Sequence, residues 1–111
     1  MTERRINIRK PYFDLIKNGV KTVEVRVGYP GMRKIAAGQV LVFRSGDESC
    51  RTEVVKVVEY PSFEAMADAE DIAAIGGDMG RGELLAACRD IYPPEKEALG
   101  VLAIHLRRPT T

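Results

Sequence analysis

The segment from Thr22 to Val27 alternates strictly between polar and apolar side chains. A period of two residues is typical of a β-strand with one buried face. The three valines of the segment therefore belong to a core. The opposite face carries the Glu24 carboxylate and the Arg26 guanidinium two residues apart, and the Lys21 ammonium lies at the entry to the strand.

Hydrophobic periodicity and turn residues predict the other elements around this strand. Pro11 is suited to the first turn of a helix that ends near Gly19, and Ser62 is suited to capping a later one. The predicted strands are 4–8, 22–27, 40–43, 50–60 and 100–106. The predicted helices are 11–18, 63–69, 68–75, 83–91 and 95–99, with a loop at 76–82.

The predicted order of elements indicates an α+β fold: a small mixed β-barrel of about five to six strands with flanking short helices. Alternating βαβ units are absent, which argues against a doubly wound parallel sheet. A closed or curled sheet also protects the strand edges that a small flat sheet would expose. The chain has 111 residues, of which 45% are hydrophobic and 30% charged, so we expect one domain over residues 1–111.

Charge is distributed unevenly, although the whole chain carries a formal net charge of only +1. Residues 1–35 hold nine basic side chains against three acidic ones, a net charge of +6. Residues 62–97 hold three basic side chains against nine acidic ones, a net charge of −6. Such a basic half is too weak for a dedicated duplex-DNA binder but suits a small anionic ligand or a short single strand.

Composition argues against several other classes of protein. Two cysteines, Cys50 and Cys88, form no CxxC motif, and His105 is the single histidine. We therefore expect reduced core thiols, no metal site and no cofactor. No apolar run is long enough to cross a bilayer, and residues 1–10 lack the apolar region of a signal peptide. These observations predict a cytoplasmic protein with no membrane partner, and no segment indicates a protein partner.

Several short motifs, in order along nearly the whole chain, resemble the ASCH domain family of PUA-like β-barrels. The segment from Gly19 to Arg26 fits the family's G-x-K-x-x-E-x-R signature. Further matches are Pro11-Tyr12-Phe13, Gly38-Gln39-Val40 with Phe43, Tyr60-Pro61-Ser62-Phe63-Glu64-Ala65-Met66, Ile91-Tyr92-Pro93 and Gly100-Val101-Leu102-Ala103-Ile104. Gln39 departs from the acidic residue usual in the second of these. The resemblance implies a barrel with a cleft lined by the signature residues, with RNA or a nucleotide as ligand.

The candidate ligand-binding residues are Lys21, Glu24 and Arg26, extended by Arg9, Lys10, Arg44 and Tyr92. Arg is suited to bidentate phosphate contacts and Lys to a point contact, and Tyr92 can stack on a base. Each group also has a plain structural interpretation. The strand charges can form exposed ion pairs, the other basic residues can be solvated strand ends, and Tyr92 can anchor a helix in the core.

The family also includes small enzymes that remove the acetyl group from N4-acetylcytidine, using a Lys, a Thr three positions later and a Glu in the helical region. Lys21 matches the first position, but Glu24 stands at the threonine position, and no Glu lies at 76–78. Binding is therefore the leading hypothesis. The alternative is a hydrolase in the same cleft, acting on such a nucleoside or as a ribonuclease, with Lys21 and Glu24 as the catalytic residues.

Overall fold

A computed structural model of the protein describes residues 3–108. The strands in this range are β1 (Glu3–Asn7), β2 (Val23–Val27), β3 (Val40–Ser45), β4 (Glu48–Tyr60) and β5 (Val101–Arg107). The helices are α1 (Lys10–Lys17), α2 (Phe63–Ala69), α3 (Ile72–Gly76), α4 (Arg81–Ile91) and α5 (Pro94–Glu97), with a 3₁₀ turn at Met32–Lys34. The predicted domain also includes residues 1, 2 and 109–111, which lie outside the described range.

The five strands of residues 3–108 form one curled, half-barrel sheet in the order β1-β3-β4-β5-β2. β1 pairs with β3 in parallel, whereas the other neighbours pair antiparallel. This mixed sheet with flanking short helices confirms the predicted α+β barrel class. Because β1 and β2 are the two ends of the strand order, the barrel has a seam between them, and β2 has a strand neighbour on one edge only.

Two hydrophobic cores lie on opposite faces of this sheet. The first lies inside the curl and is closed by α1; it includes Phe13, Leu41, Phe43 and Ile104. The second lies between the outer face and helices α2, α3 and α4; it includes Val27, Phe63, Met66 and Val101. β5 contributes alternate residues to both cores, which explains why its sequence is almost uniformly apolar.

Local sequence explains where the helices begin and end. Pro11 lies in the first turn of α1, and Gly19 follows the helix with a φ of +80° that glycine adopts without strain. The Ser62 side chain accepts a hydrogen bond from the Ala65 amide at 3.0 Å, which confirms the predicted cap of α2. α4 begins two residues earlier than predicted, because the Glu83 carboxylate accepts from the Gly80 amide at 3.2 Å and extends the first turn.

Two other differences from the sequence predictions arise at a hairpin and at the entry to β2. β4 begins at Glu48, because Gly46 adopts a φ of +59° and permits a two-residue turn after Ser45. β2 begins at Val23, because the Thr22 amide donates to the Ala74 carbonyl of α3 at 2.8 Å. None of the helices within residues 3–108 is long and apolar enough to cross a membrane.

Candidate functional site

A cleft of about 240 Å³ lies at the seam between β1 and β2. One wall is formed by the end of β1 and the start of α1. The opposite wall is formed by β2, by the end of α3 and by one face of α4. The curl of the sheet therefore places the alternating segment found in the sequence, together with Lys21, along the cleft.

Lys21 is buried in the cleft wall, with only 4% of its surface exposed. The chain reverses after α1, and the Lys21 amide donates to the Leu15 carbonyl at 3.0 Å, which turns the side chain inward. Its ammonium donates to the carbonyls of Val23 at 2.7 Å and Ile75 at 2.8 Å. It also lies 3.2 Å from a Glu24 oxygen, which is an ion-pair distance.

Glu24 lies between two cations and is itself 5% exposed. Its second oxygen accepts from the Arg26 Nε at 2.6 Å. Arg26 also donates through Nη2 to the Asn7 carbonyl at 3.3 Å, so its guanidinium spans the seam from β2 to β1. The strand's charged face is therefore a buried, connected network rather than a set of solvated ion pairs. No buried side-chain nitrogen or oxygen within residues 3–108 is left without a partner.

The register of the sheet explains why this network is buried. Glu24 stands opposite Ile104 and Arg26 opposite Leu102 in the β2–β5 ladder, and opposite residues share one face of an antiparallel pair. The two charged side chains thus point to the side of the sheet that holds the inner core. They remain near the cleft only because the barrel is open at the seam.

Tyrosine rings lie on both walls of the cleft. Tyr92 follows α4 and is half-buried, with its ring stacked against Phe63 at 6.1 Å between centroids. Burial raises the pKa of Tyr92, and the nearby positive charge of Arg26 partly offsets this shift. Tyr12, in α1, lies with its ring centroid 5.8 Å from the Lys21 ammonium. A flat ligand can therefore meet an aromatic surface as well as charge in this cleft.

The structure brings five of the seven candidate binding residues together. Lys21, Glu24, Arg26, Arg9 and Tyr92 all line the cleft. Lys10 lies outside it and pairs with Asp14 at 3.0 Å and with Glu48. Arg44 is exposed on the outer face of the sheet, beside a separate shallow depression that also contains Arg5 and Arg51.

Sequence reasoning did not place three further cleft residues. Tyr12 follows Pro11 in the first turn of α1, and this position was the available signal. Cys88 was expected only as a core thiol; it is buried and free, as predicted, but it also lines the cleft. The Ile75 backbone carbonyl accepts a hydrogen bond from Lys21, and no pattern of side chains in the sequence predicts such a contact.

The remaining titratable groups lie away from the cleft. His105 is partly buried on the outer face of β5, where its Nε2 lies 3.0 Å from the Glu70 carboxylate. Tyr60 also donates to Glu70 at 2.5 Å, and this hydrogen bond raises the pKa of Tyr60 to about 12. Within residues 3–108, no group of three or more His, Cys, Asp or Glu side chains is arranged to hold a metal ion.

Comparisons with known proteins agree with the motifs. The family model for the ASCH domain matches residues 6–110. The crystal structure of hypothetical protein PH0355 is 27% identical, with a TM-score of 0.88 over 98% of this chain and 100% of that chain. The solution structure of protein PF0455 from Pyrococcus furiosus is 28% identical, with a TM-score of 0.78 over 96% of each chain. No curated protein gave a significant match.

Proposed function

The chain belongs to the ASCH domain family, and on this basis we propose that it binds a nucleotide unit, free or within RNA, in the cleft at the seam. Family membership favours a nucleic-acid ligand. The single observation that carries the proposal is the convergence of the buried Lys21–Glu24–Arg26 network with two tyrosine rings in one cleft. Charge with an aromatic surface is the combination that nucleotide sites use.

Arg26 is the member of the network that reaches a ligand. It is held by Glu24 through Nε and by the Asn7 carbonyl through Nη2, while 21% of its side chain remains exposed. Its Nη1 has no hydrogen-bond partner within residues 3–108. Arg9 lies exposed on the opposite wall. These two guanidinium groups bind phosphate oxygens, and Tyr92 stacks on the base.

Lys21 and Glu24 act in this proposal by positioning Arg26. The Lys21 ammonium donates to two backbone carbonyls, and the two Glu24 oxygens lie 3.2 Å from Lys21 and 2.6 Å from Arg26. A network with every group satisfied is rigid, because each displaced group would lose a hydrogen bond in a poorly hydrated place. Rigid placement reduces the ordering cost of holding an Arg against a phosphate.

Binding is tested by fluorescence anisotropy with a labelled, mixed-sequence RNA octamer at several salt concentrations. We expect affinity to fall with salt at a slope of about −0.7 per phosphate contact. Arg26→Ala removes one contact and reduces the slope accordingly. The control is Arg33→Ala, an exposed arginine outside the cleft that pairs with Glu59. Absence of binding at micromolar protein, or an equal loss in both variants, contradicts the proposal.

Competition distinguishes the two sources of the ligand. If the cleft takes free nucleotides, a ribonucleoside 5′-monophosphate displaces the octamer at concentrations near the dissociation constant of the monophosphate. If the protein binds an RNA strand, the monophosphates compete far more weakly than unlabelled octamer, because additional phosphates of the strand contribute to affinity.

A second assay tests for hydrolysis in the same cleft. A hydrolase would need Lys21 or Glu24 to exchange protons with the substrate, whereas the Lys21 ammonium is engaged with two backbone carbonyls and with Glu24, and Glu24 is engaged with Lys21 and Arg26. We therefore expect no cytidine release when the protein is incubated with N4-acetylcytidine. Turnover that disappears in Lys21→Ala, with the fold intact by circular dichroism, would replace binding by hydrolysis as the assigned function.

A further inference from the structure

The cleft contains an open segment of strand edge. β2 pairs with β5 along one edge, and no other strand within residues 3–108 pairs with it. An unpaired edge presents backbone N–H and C=O groups that can bind another molecule. Arg26 spans the gap to β1 with its side chain, but a side chain does not satisfy the backbone of the strand itself.

Hydrogen bonds at the two ends of the ladder show which backbone groups face the cleft. The Leu106 amide donates to the Thr22 carbonyl at 2.8 Å, and the Gly28 amide donates to the Gly100 carbonyl at 2.9 Å. In an antiparallel ladder every second residue bonds to the neighbouring strand. The backbone groups of Glu24 and Arg26 therefore point toward β5, as those of Thr22 and Gly28 do. The odd-numbered residues between them therefore point their N–H and C=O groups away from β5.

Two of the three odd-numbered carbonyls are already occupied. The Val23 carbonyl accepts from Lys21 at 2.7 Å, which confirms the direction assigned to it. The Val27 carbonyl accepts from the Tyr29 amide at 2.8 Å. Val25 lies between them, lines the cleft and is partly exposed. Its backbone carries both a donor and an acceptor toward the cleft, and neither has a protein partner within residues 3–108.

We propose that the backbone N–H and C=O of Val25 bind the hydrogen-bonding edge of the nucleobase whose phosphate is held by Arg26. This inference rests on the proposed function and adds how the base is held. In an extended strand the N–H and C=O of one residue point the same way, so they match a ring that presents an acceptor beside a donor. Each nucleobase has such an edge, whereas a phosphate or a sugar does not combine it with a flat ring.

The length of the open edge identifies the occupant. A peptide that adds to a sheet as a strand needs several consecutive backbone partners. Here the flanking carbonyls of Val23 and Val27 are occupied, so one residue alone offers both groups. A compact ring stacked on Tyr92 fits that single residue and the volume of about 240 Å³; an extended chain does not.

Hydrogen exchange measured by NMR on the unaltered protein tests the inference first. In the free protein we expect the Val25 amide to exchange fast, and the Glu24 and Arg26 amides to exchange slowly because they bond to β5. Saturation with the mixed-sequence RNA octamer, or with a ribonucleoside monophosphate that binds, should slow the Val25 amide at least about tenfold. A ligand that binds without slowing this amide overturns the inference and leaves the proposed function standing.

Val25→Pro gives the second test, because proline removes the N–H and is tolerated on a strand edge whose N–H is not in the ladder. We expect the variant to fold and to bind RNA at least about tenfold more weakly. Val25→Ala is the matched comparison: it shortens the same side chain but keeps the N–H, so the loss of affinity in Val25→Pro should exceed the loss in Val25→Ala. Equal affinities of Val25→Pro and Val25→Ala contradict the inference. If neither RNA nor any monophosphate binds, the proposed function and this inference fail together.

Discussion

The protein contains two Arg–Glu pairs in contrasting surroundings. In the cleft, Arg26 Nε lies 2.6 Å from Glu24, whose side chain is 7% exposed. Beyond the end of β2, Arg33 binds both oxygens of Glu59 at 2.7 and 2.8 Å, and the Glu59 side chain is 49% exposed. The second pair is bidentate and the first is not, yet the second pair is exposed to water.

Burial, rather than geometry, decides what each pair does. An exposed pair gains little, because water solvates the separate charges almost as well and salt screens them. A buried pair has lost that solvation, so each charge depends on its partner. The Arg33–Glu59 pair therefore helps to join segments at the surface. The Lys21–Glu24–Arg26 network instead holds charges in a buried place, where an unpaired charge would cost free energy. Under the proposed function, these charges are retained because they position Arg26 for a ligand.

The largest expected effect comes from breaking the cleft network. Glu24→Ala leaves the Lys21 ammonium buried with no counter-charge and should lower the free energy of unfolding by about 3–5 kcal/mol. Urea denaturation followed by circular dichroism measures the change. Glu59→Ala is the control, and it should leave the midpoint nearly unchanged because Arg33 keeps the Gly28 and Leu99 carbonyls as acceptors. Equal losses in the two variants would show that burial does not separate the pairs.

The contrast between the pairs could not be predicted from sequence, although much of the fold could. Alternation and turn residues placed all five strands, and the Ser62 cap fixed the start of α2. Those signals are local, since each depends on the residues of one segment. The sequence also located the charged face of β2, but an exposed face and a cleft face have the same pattern. Burial of Glu24 depends on the seam between β1 and β2, which is a property of strand order.

The same limit explains which binding candidates came together. Arg9 and Lys10 are adjacent in sequence, yet Arg9 lines the cleft, and Lys10, in the first turn of α1, binds Asp14 one turn further on. Tyr92 lies far from β2 in sequence and enters the cleft because α4 packs across the sheet's outer core. No local pattern distinguishes these cases, because each depends on where a helix lies relative to the seam.

A second expected effect depends on how well the cleft wall excludes water. Cys88 lies in this wall, and burial raises the pKa of its thiol to about 11. Near pH 8 the thiolate fraction of Cys88 should thus be about a hundredfold below that of a thiol with the ordinary pKa of 9.0. The rate of alkylation follows the thiolate fraction. We expect iodoacetamide to modify Cys88 correspondingly slowly in the folded protein. Mass spectrometry of timed digests, with urea-unfolded protein as the reference, measures the rate.

The same shift gives a dependence of stability on pH. The folded-state pKa of Cys88 is raised, so the folded protein holds the proton more tightly than the unfolded chain does. Its contribution is therefore complete below about pH 9 and is lost as the pH rises toward 11. Cys88→Ala should flatten the unfolding free energy over that window. Rapid alkylation at neutral pH, or an unchanged slope in the variant, would indicate a wetter cleft wall than we describe.

A smaller effect should show how much of the stabilisation by Glu24 comes from its contact with Lys21 and how much from its contact with Arg26. Lys21→Met removes the ammonium but leaves the Val23 and Ile75 carbonyls without their buried donor. Combined with Glu24→Leu in a double-mutant cycle, it should show a coupling energy of about 1–3 kcal/mol, because the two single variants each leave a partner unpaired. The corresponding cycle of Arg33→Met and Glu59→Leu should give a coupling near zero. Additive effects of Lys21→Met and Glu24→Leu would show that Arg26 alone balances Glu24.

The smallest expected effect is the response of the two pairs to salt. At about 1 M NaCl the Debye length falls to about 3 Å, which screens charges that water reaches but not charges within the protein. Any small difference in urea midpoint between Glu59→Ala and the unaltered protein at low salt should therefore vanish at high salt. The deficit of Glu24→Ala should persist, because 7% exposure of that side chain leaves little room for ions beside it. If high salt erased both deficits, water would have to reach Glu24 as freely as Glu59, and the rigid placement of Arg26 on which the proposed binding depends would lose its physical basis.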